Sequence, residues 1–270
     1  MLNVTNYISI VLLVLFLALY MARFRGVDVN RFSPPAAWVR ACIFFCACWI
    51  ICWLTGTQTM IVETPVVTSA QLQNGAWIAW TIGLFMMILI GYWGVWARYT
   101  MRFDRKLHLL TQIPFGLLWG VSMGQLILIM WRTVSGIGAL WPGWLIVVVT
   151  LVTVASIFWV WMVFYWDLYI APEHDSKYSI ALKTIVLHIP QSLMCVIYVT
   201  LYHNFVILIA LQTLALVGAA IFMRMPSPWS QVSTPPARRH PFIFGLVYAG
   251  GYVSSDPKND PCLKAAHLPY

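Results

Sequence analysis

Charge is what this chain has least of: Asp, Glu, Lys and Arg together make up 9% of its 270 residues, against about 25% in an ordinary soluble domain. That shortage excludes a conventional water-facing surface, and a hydrophobic content of 61% places the chain in a bilayer instead. Acid is scarcer than base, leaving a formal net charge of +8. The basic residues collect in short stretches between apolar runs, so no continuous basic face follows a phosphate backbone, and nucleic acid is not expected as a partner.

Further absences narrow the function. The six cysteines stand at 42, 46, 48, 52, 195 and 262, five of them inside apolar segments, which is not the polar-loop spread of a disulfide framework. The deep parts of the apolar segments hold no Asp or Glu, which argues against a proton pump, a channel with a charged filter and a cation-coupled transporter. No lysine lies in the last segment, 205–223, so a retinal Schiff base has no attachment point there. No internal repeat is evident, and the first three segments do not match the last three, which speaks against an inverted-repeat transporter.

What is present is a series of seven apolar segments, at about 7–23, 37–55, 76–97, 108–131, 143–166, 180–202 and 205–223. Each has the roughly 17–25 residues needed to cross a hydrocarbon core about 30 Å thick. The first is read as a retained span and not a signal peptide, because no Lys or Arg precedes it and no small-residue cleavage site follows. The expected fold is all-α, a polytopic bundle of seven transmembrane helices over 1–225, followed by a Pro/Gly-rich tail over 226–270. With the amino terminus outside, fifteen of the sixteen Lys and Arg residues fall on the inner side, Arg132 being the exception. This asymmetry predicts an outer amino terminus and a cytoplasmic carboxyl terminus, and the expected location is the inner (plasma) membrane of a bacterium. Arg40 and Lys183, close to inner boundaries, are expected to snorkel outward. Trp77 and Trp80 at one end of the third segment, with Trp93 and Trp96 at the other, read as an aromatic belt in a tryptophan-rich chain.

In the tail, Pro226, Pro228, Pro235 and Pro236 precede a short apolar run over 241–252. Twelve residues with three glycines are too short and flexible for another span, so an interfacial or partner-docking role is expected.

The clearest local pattern is Gly116, Gly120 and Gly124, four residues apart within the fourth segment. That spacing returns nearly to one helix face and cuts a smooth groove, a glycine zipper, that another helix backbone can approach. The groove predicts a helix–helix or subunit interface. The same stretch spells Gly120-Val121-Ser122-Met123-Gly124, the nucleophile-elbow pattern. That motif needs a strand before its serine and a base to activate it, and neither is indicated, so Ser122 reads as a packing residue.

His108, His174 and His188 all fall near the inner boundary in this topology and are the candidate metal ligands, since a neutral imidazole offers a lone pair to haem iron, copper or zinc. They carry no short ligand spacing such as His-x-x-x-His. Cys42, Cys46, Cys48 and Cys52 form two pairs on helix faces about 120° apart, which one metal cannot collect, so they read as small buried apolar fillers. Gln125, Thr150, Thr153, Ser156, Gln191, Ser192, Gln212 and Thr213 give the interior neutral polarity, read as glue between helices. Pro114 and Pro190 are expected to bend the fourth and sixth helices.

No catalytic motif is identified. The reading that fits best is a membrane subunit of a larger assembly, a scaffold or a holder of a cofactor in a redox or energy-transducing complex. Its expected partners are the lipid bilayer and other membrane protein subunits. Which cofactor is unknown; haem, a pigment or a metal ion fits such a subunit, as do structural lipids. Two other classes stand beside it: a transporter or channel for a neutral or apolar solute, and a membrane-embedded metalloenzyme using the inner-face histidines.

Overall fold

The computed structural model describes residues 34–95, 102–103, 107–155, 184–222, 224–229 and 237–238. The first apolar segment, Lys183, Trp96, Ser156, Cys262 and the inner loop bearing His174 therefore lie outside the described residues.

Helix α1 (Pro34–Leu54) ends at Thr55 and Gly56, where Gly56 takes the left-handed conformation with φ 67° that suits a residue without Cβ. Two short helices follow, α2 (Thr57–Glu63) and α3 (Ser69–Leu72). Thr68 and Gln71 close the start of α3 as a reciprocal capping box. Asn74 then caps α4 (Gly75–Ile88), its side chain accepting from the amides of Ala76 and Trp77. The helix continues directly into a π-helical stretch, Leu89–Val95.

The longest helix is α5 (Leu109–Ile137), which at 29 residues extends about 43 Å and stops at Gly138. After a short turn comes the apolar helix α6 (Gly143–Ala155). A π-helical turn, Thr184–His188, leads straight into α7 (Ile189–Tyr202). His203, left-handed at φ 52°, reverses the chain, and α8 (Phe205–Phe222) returns beside α7. A two-residue antiparallel bridge pairs Arg102–Phe103 with Ala237–Arg238.

Four helical stretches are long and apolar enough to cross a membrane: Ala37–Leu54, Gly75–Gly94, Leu109–Ile137 and Phe205–Phe222. Gly143–Ala155 and Ile189–Tyr202 are apolar but shorter. The chain is thus a helical protein of membrane character.

α5 forms the centre, buried over most of its length, with α8 on one side and α1 on the other. Its contact with α1 is aromatic. Trp38 meets Phe115 edge-on with ring centroids 5.2 Å apart, and Phe44 tilts over Trp119 at 5.0 Å. Such pairs add about 0.5–1.5 kcal/mol beyond the area they bury. At its far end Trp131 packs on Phe205 and donates from Nε1 to Thr200 Oγ1.

Two expectations from the sequence change here. Arg40 does not reach outward: it is 2% exposed, on the α1 face that also carries Ala37, Ala41 and Phe44 into the core. Of the tryptophans of the third segment, Trp77 is buried and Trp80 and Trp93 are partly buried, Trp77 and Trp93 each finding a hydrogen-bond acceptor for the indole N–H. The tryptophans that do face outward include Trp53, Trp141 and Trp144.

Candidate functional site

Three constellations hold the polar and small residues that the sequence marks out. The first is the glycine face of α5. A Cβ built on Gly116 would overlap Val217 Cα, one on Gly120 would overlap Thr213 Cα, and one on Gly124 would lie 2.8 Å from Ile209 Cα. The three neighbours step backwards by four as the glycines step forwards by four. The helices therefore run antiparallel, backbone against backbone, and only glycine fits at these positions. The groove is occupied by α8 of the same chain. Ser122, beside it, is fully buried and donates to Leu118 O one turn back, as a serine in an apolar helix commonly does.

The second constellation is a line of hydrogen-bonded side chains between α4, α7 and α8. Tyr92, from the π-helical stretch, donates its hydroxyl proton to Gln191 Oε1 at 2.7 Å, and its oxygen lies 2.7 Å from His188 Nδ1. A phenol has one proton to give. With that proton committed to Gln191, the His188 contact requires Nδ1–H to donate to Tyr92, which fixes the imidazole tautomer with its proton on Nδ1. Gln191 Nε2 donates onward to Gln212 Oε1 at 3.3 Å, and Gln212 Nε2 to Cys195 Sγ at 3.1 Å. All five residues are buried. The line has one direction throughout, from the imidazole to the thiol, and every link through an amide uses N–H as donor and carbonyl as acceptor.

The third lies at the α7–α8 turn. Asn204, 2% exposed, accepts at Oδ1 from Trp77 Nε1 at 2.5 Å, Gln71 Nε2 at 3.2 Å and Tyr198 OH at 3.3 Å. Its Nδ2 donates to Val66 O at 3.0 Å and to Gln71 Oε1 at 3.3 Å. Gln71 also donates to Tyr202 O. One carboxamide thereby ties the 56–75 connection, the start of α4 and the α7–α8 turn together.

The candidate metal ligands are placed apart in character. His108, exposed at the start of α5, has Nδ1 3.1 Å from Thr111 Oγ1. His188 is buried in the line just described. His174 lies outside the described residues, among which no group of three or more His, Cys, Asp or Glu could hold a metal ion. Of the clustered cysteines, Cys48 and Cys52 are buried in the core, but Cys42 and Cys46 are exposed and not the buried fillers expected, because the two pairs lie on different faces of α1 and only one face turns to the core. Among the threonines, Thr153 and Thr213 each return a hydroxyl to a carbonyl of their own helix.

Sequence reasoning passed over Tyr92 and Asn204, the residues on which two of these constellations turn. Tyr92 was hidden among aromatic residues in an apolar run. Asn204 offered a signal, a carboxamide in a turn of three residues, where a side chain with both donor and acceptor can satisfy exposed backbone groups.

No family model, curated protein or solved structure matches this chain.

Proposed function

We propose that this chain is an integral membrane subunit of a larger membrane assembly, built as a seven-span scaffold with its amino terminus outside and its carboxyl terminus cytoplasmic. The observation that carries this reading is an interior closed along two seams. The glycine face of α5 is taken up by α8, and His188, Gln191 and Cys195 along α7 are bonded to Tyr92 and to Gln212 of α8. Such a bundle leaves its outward surface for interaction. On α1 that surface carries Val39, Cys42, Cys46, Trp49, Ile50 and Trp53, side chains compatible with lipid or with another apolar helix.

A transporter of neutral solutes would use the polar line of α4, α7 and α8 as its path. The one-way amide links count against this use for protons, because a neutral carboxamide neither gains nor loses a proton readily. A holder of haem, pigment or metal at the inner face would draw on His108, His174 and His188.

The test is purification in a mild detergent or in native lipid particles, followed by mass measurement and absorption spectroscopy. A stoichiometric complex with other membrane proteins is the expected result. A lone, colourless, metal-free monomer that carries solute across liposomes would replace the subunit reading with the transporter one.

A further inference from the structure

Two π-helical segments face each other in this bundle, and they have different causes. In the segment Thr184–His188 the cause is covalent. Pro190 has no N–H, and its ring would strike the carbonyl four residues back, so the ladder just before it cannot close as a regular α-helix. The segment Leu89–Val95 contains no proline. Its Gly91 and Gly94 weaken the α-helical preference without dictating an alternative. What grips this stretch comes from outside it, through two consecutive residues. Tyr92 is bonded to His188 and Gln191, while Trp93 donates to Leu214 O on α8 and lies over Gly218, where an added Cβ would be 2.5 Å from its Nε1. Gly91 admits Leu187 at the same level, a Cβ there falling 2.8 Å from Leu187 Cδ1.

We propose that Leu89–Val95 is a register switch, held in its π form by the bonds of Tyr92 to α7, and that loss of those bonds lets it close to a regular α-helix. Closing a π turn removes one residue from it and rotates the chain beyond by about 100°, the angular step of one residue in an α-helix. The residues beyond Val95 include Arg98, Arg102, Arg105 and Lys106. A buried hydrogen bond between a tyrosine and a histidine thereby sets the register in which the helix reaches Val95, the point from which the sequence continues into these basic residues. The proposal stands apart from the subunit reading and holds for an isolated chain equally.

The experiment uses the full chain in lipid nanodiscs, with Cys42, Cys46 and Cys262 replaced by Ser and spin labels at Gly94→Cys and at Leu117→Cys on the exposed side of α5. Tyr92→Phe keeps the ring and removes the bonds. The expected result is a changed label-to-label distance, with amide exchange over 89–95 altered by upwards of about tenfold, the factor for one lost buried hydrogen bond where two are lost, while 75–88 keeps its parent rates. Pro190→Ala acts from the other side. It lets the α7 turn close, draws His188 from Tyr92, and should move the same label. An unmoved label in both folded variants would overturn the proposal, as would exchange rising uniformly over 75–95, which is melting and not a change of register.

Discussion

Along the α5–α8 seam the helices touch backbone to backbone at Gly116, Gly120 and Gly124, whereas along the α4–α7 seam they are joined by Tyr92, His188 and Gln191. The first seam needs the absence of side chains at regular spacing on one of two α-helices. The second needs particular side chains and runs through two π-helical segments. The difference teaches that tightness and specificity are supplied separately: small residues set how near two helices come, and directional polar groups set their rotation about their own axes.

The sharpest way to break the comparison is Gly120→Leu. Nothing in the α8 backbone can yield to the new side chain, so the folded fraction in a detergent melt should fall by upwards of about 3 kcal/mol, the upper range for overpacking. An equally stable variant would show that the α5–α8 contact is looser than its geometry. Next comes Asn204→Leu, which strands the Trp77 indole, the Gln71 amide and the Val66 carbonyl together. A loss of about 2–3 kcal/mol is expected, accompanied by faster proteolysis or amide exchange over 56–75. Trp93→Phe keeps a ring near Phe222 and removes the bond to Leu214 O together with the part of the indole that lies over Gly218. About 1 kcal/mol should be lost, and no loss would take that bond out of the seam. The smallest effect belongs to the outward face. Cys42→Ser should change stability by less than about 0.5 kcal/mol, while an apolar maleimide should label Cys42 and Cys46 in the folded protein and reach Cys48, Cys52 and Cys195 only on unfolding.

The sequence carried the apolar segments of the bundle and the glycine spacing, because each is a local pattern whose physical meaning does not depend on a partner. It carried the two cysteine faces for the same reason. It did not carry what the glycines face: three residues at intervals of four describe a groove, and only the folded chain supplies the occupant, α8. Nor did it reveal the direction of the tryptophans. An indole N–H goes wherever an acceptor is, and Asn204 Oδ1 lies 127 residues from Trp77. Arg40 reads as a boundary residue by position along the helix, but burial depends on which face of the helix it shares, and Ala37, Ala41 and Phe44 turn that face to the core.

Arg132 bonds through its guanidinium to the carbonyl of Gly56, just past the carboxyl end of α1. The same carbonyl accepts the Met60 amide at the start of α2, so the guanidinium braces the joint between the two helices. In the orientation proposed above, Arg132 is the one basic residue carried to the outer side. Charge that would otherwise resist translocation is thus met by a backbone acceptor once the chain has folded, so that a topological anomaly and a helix joint satisfy each other.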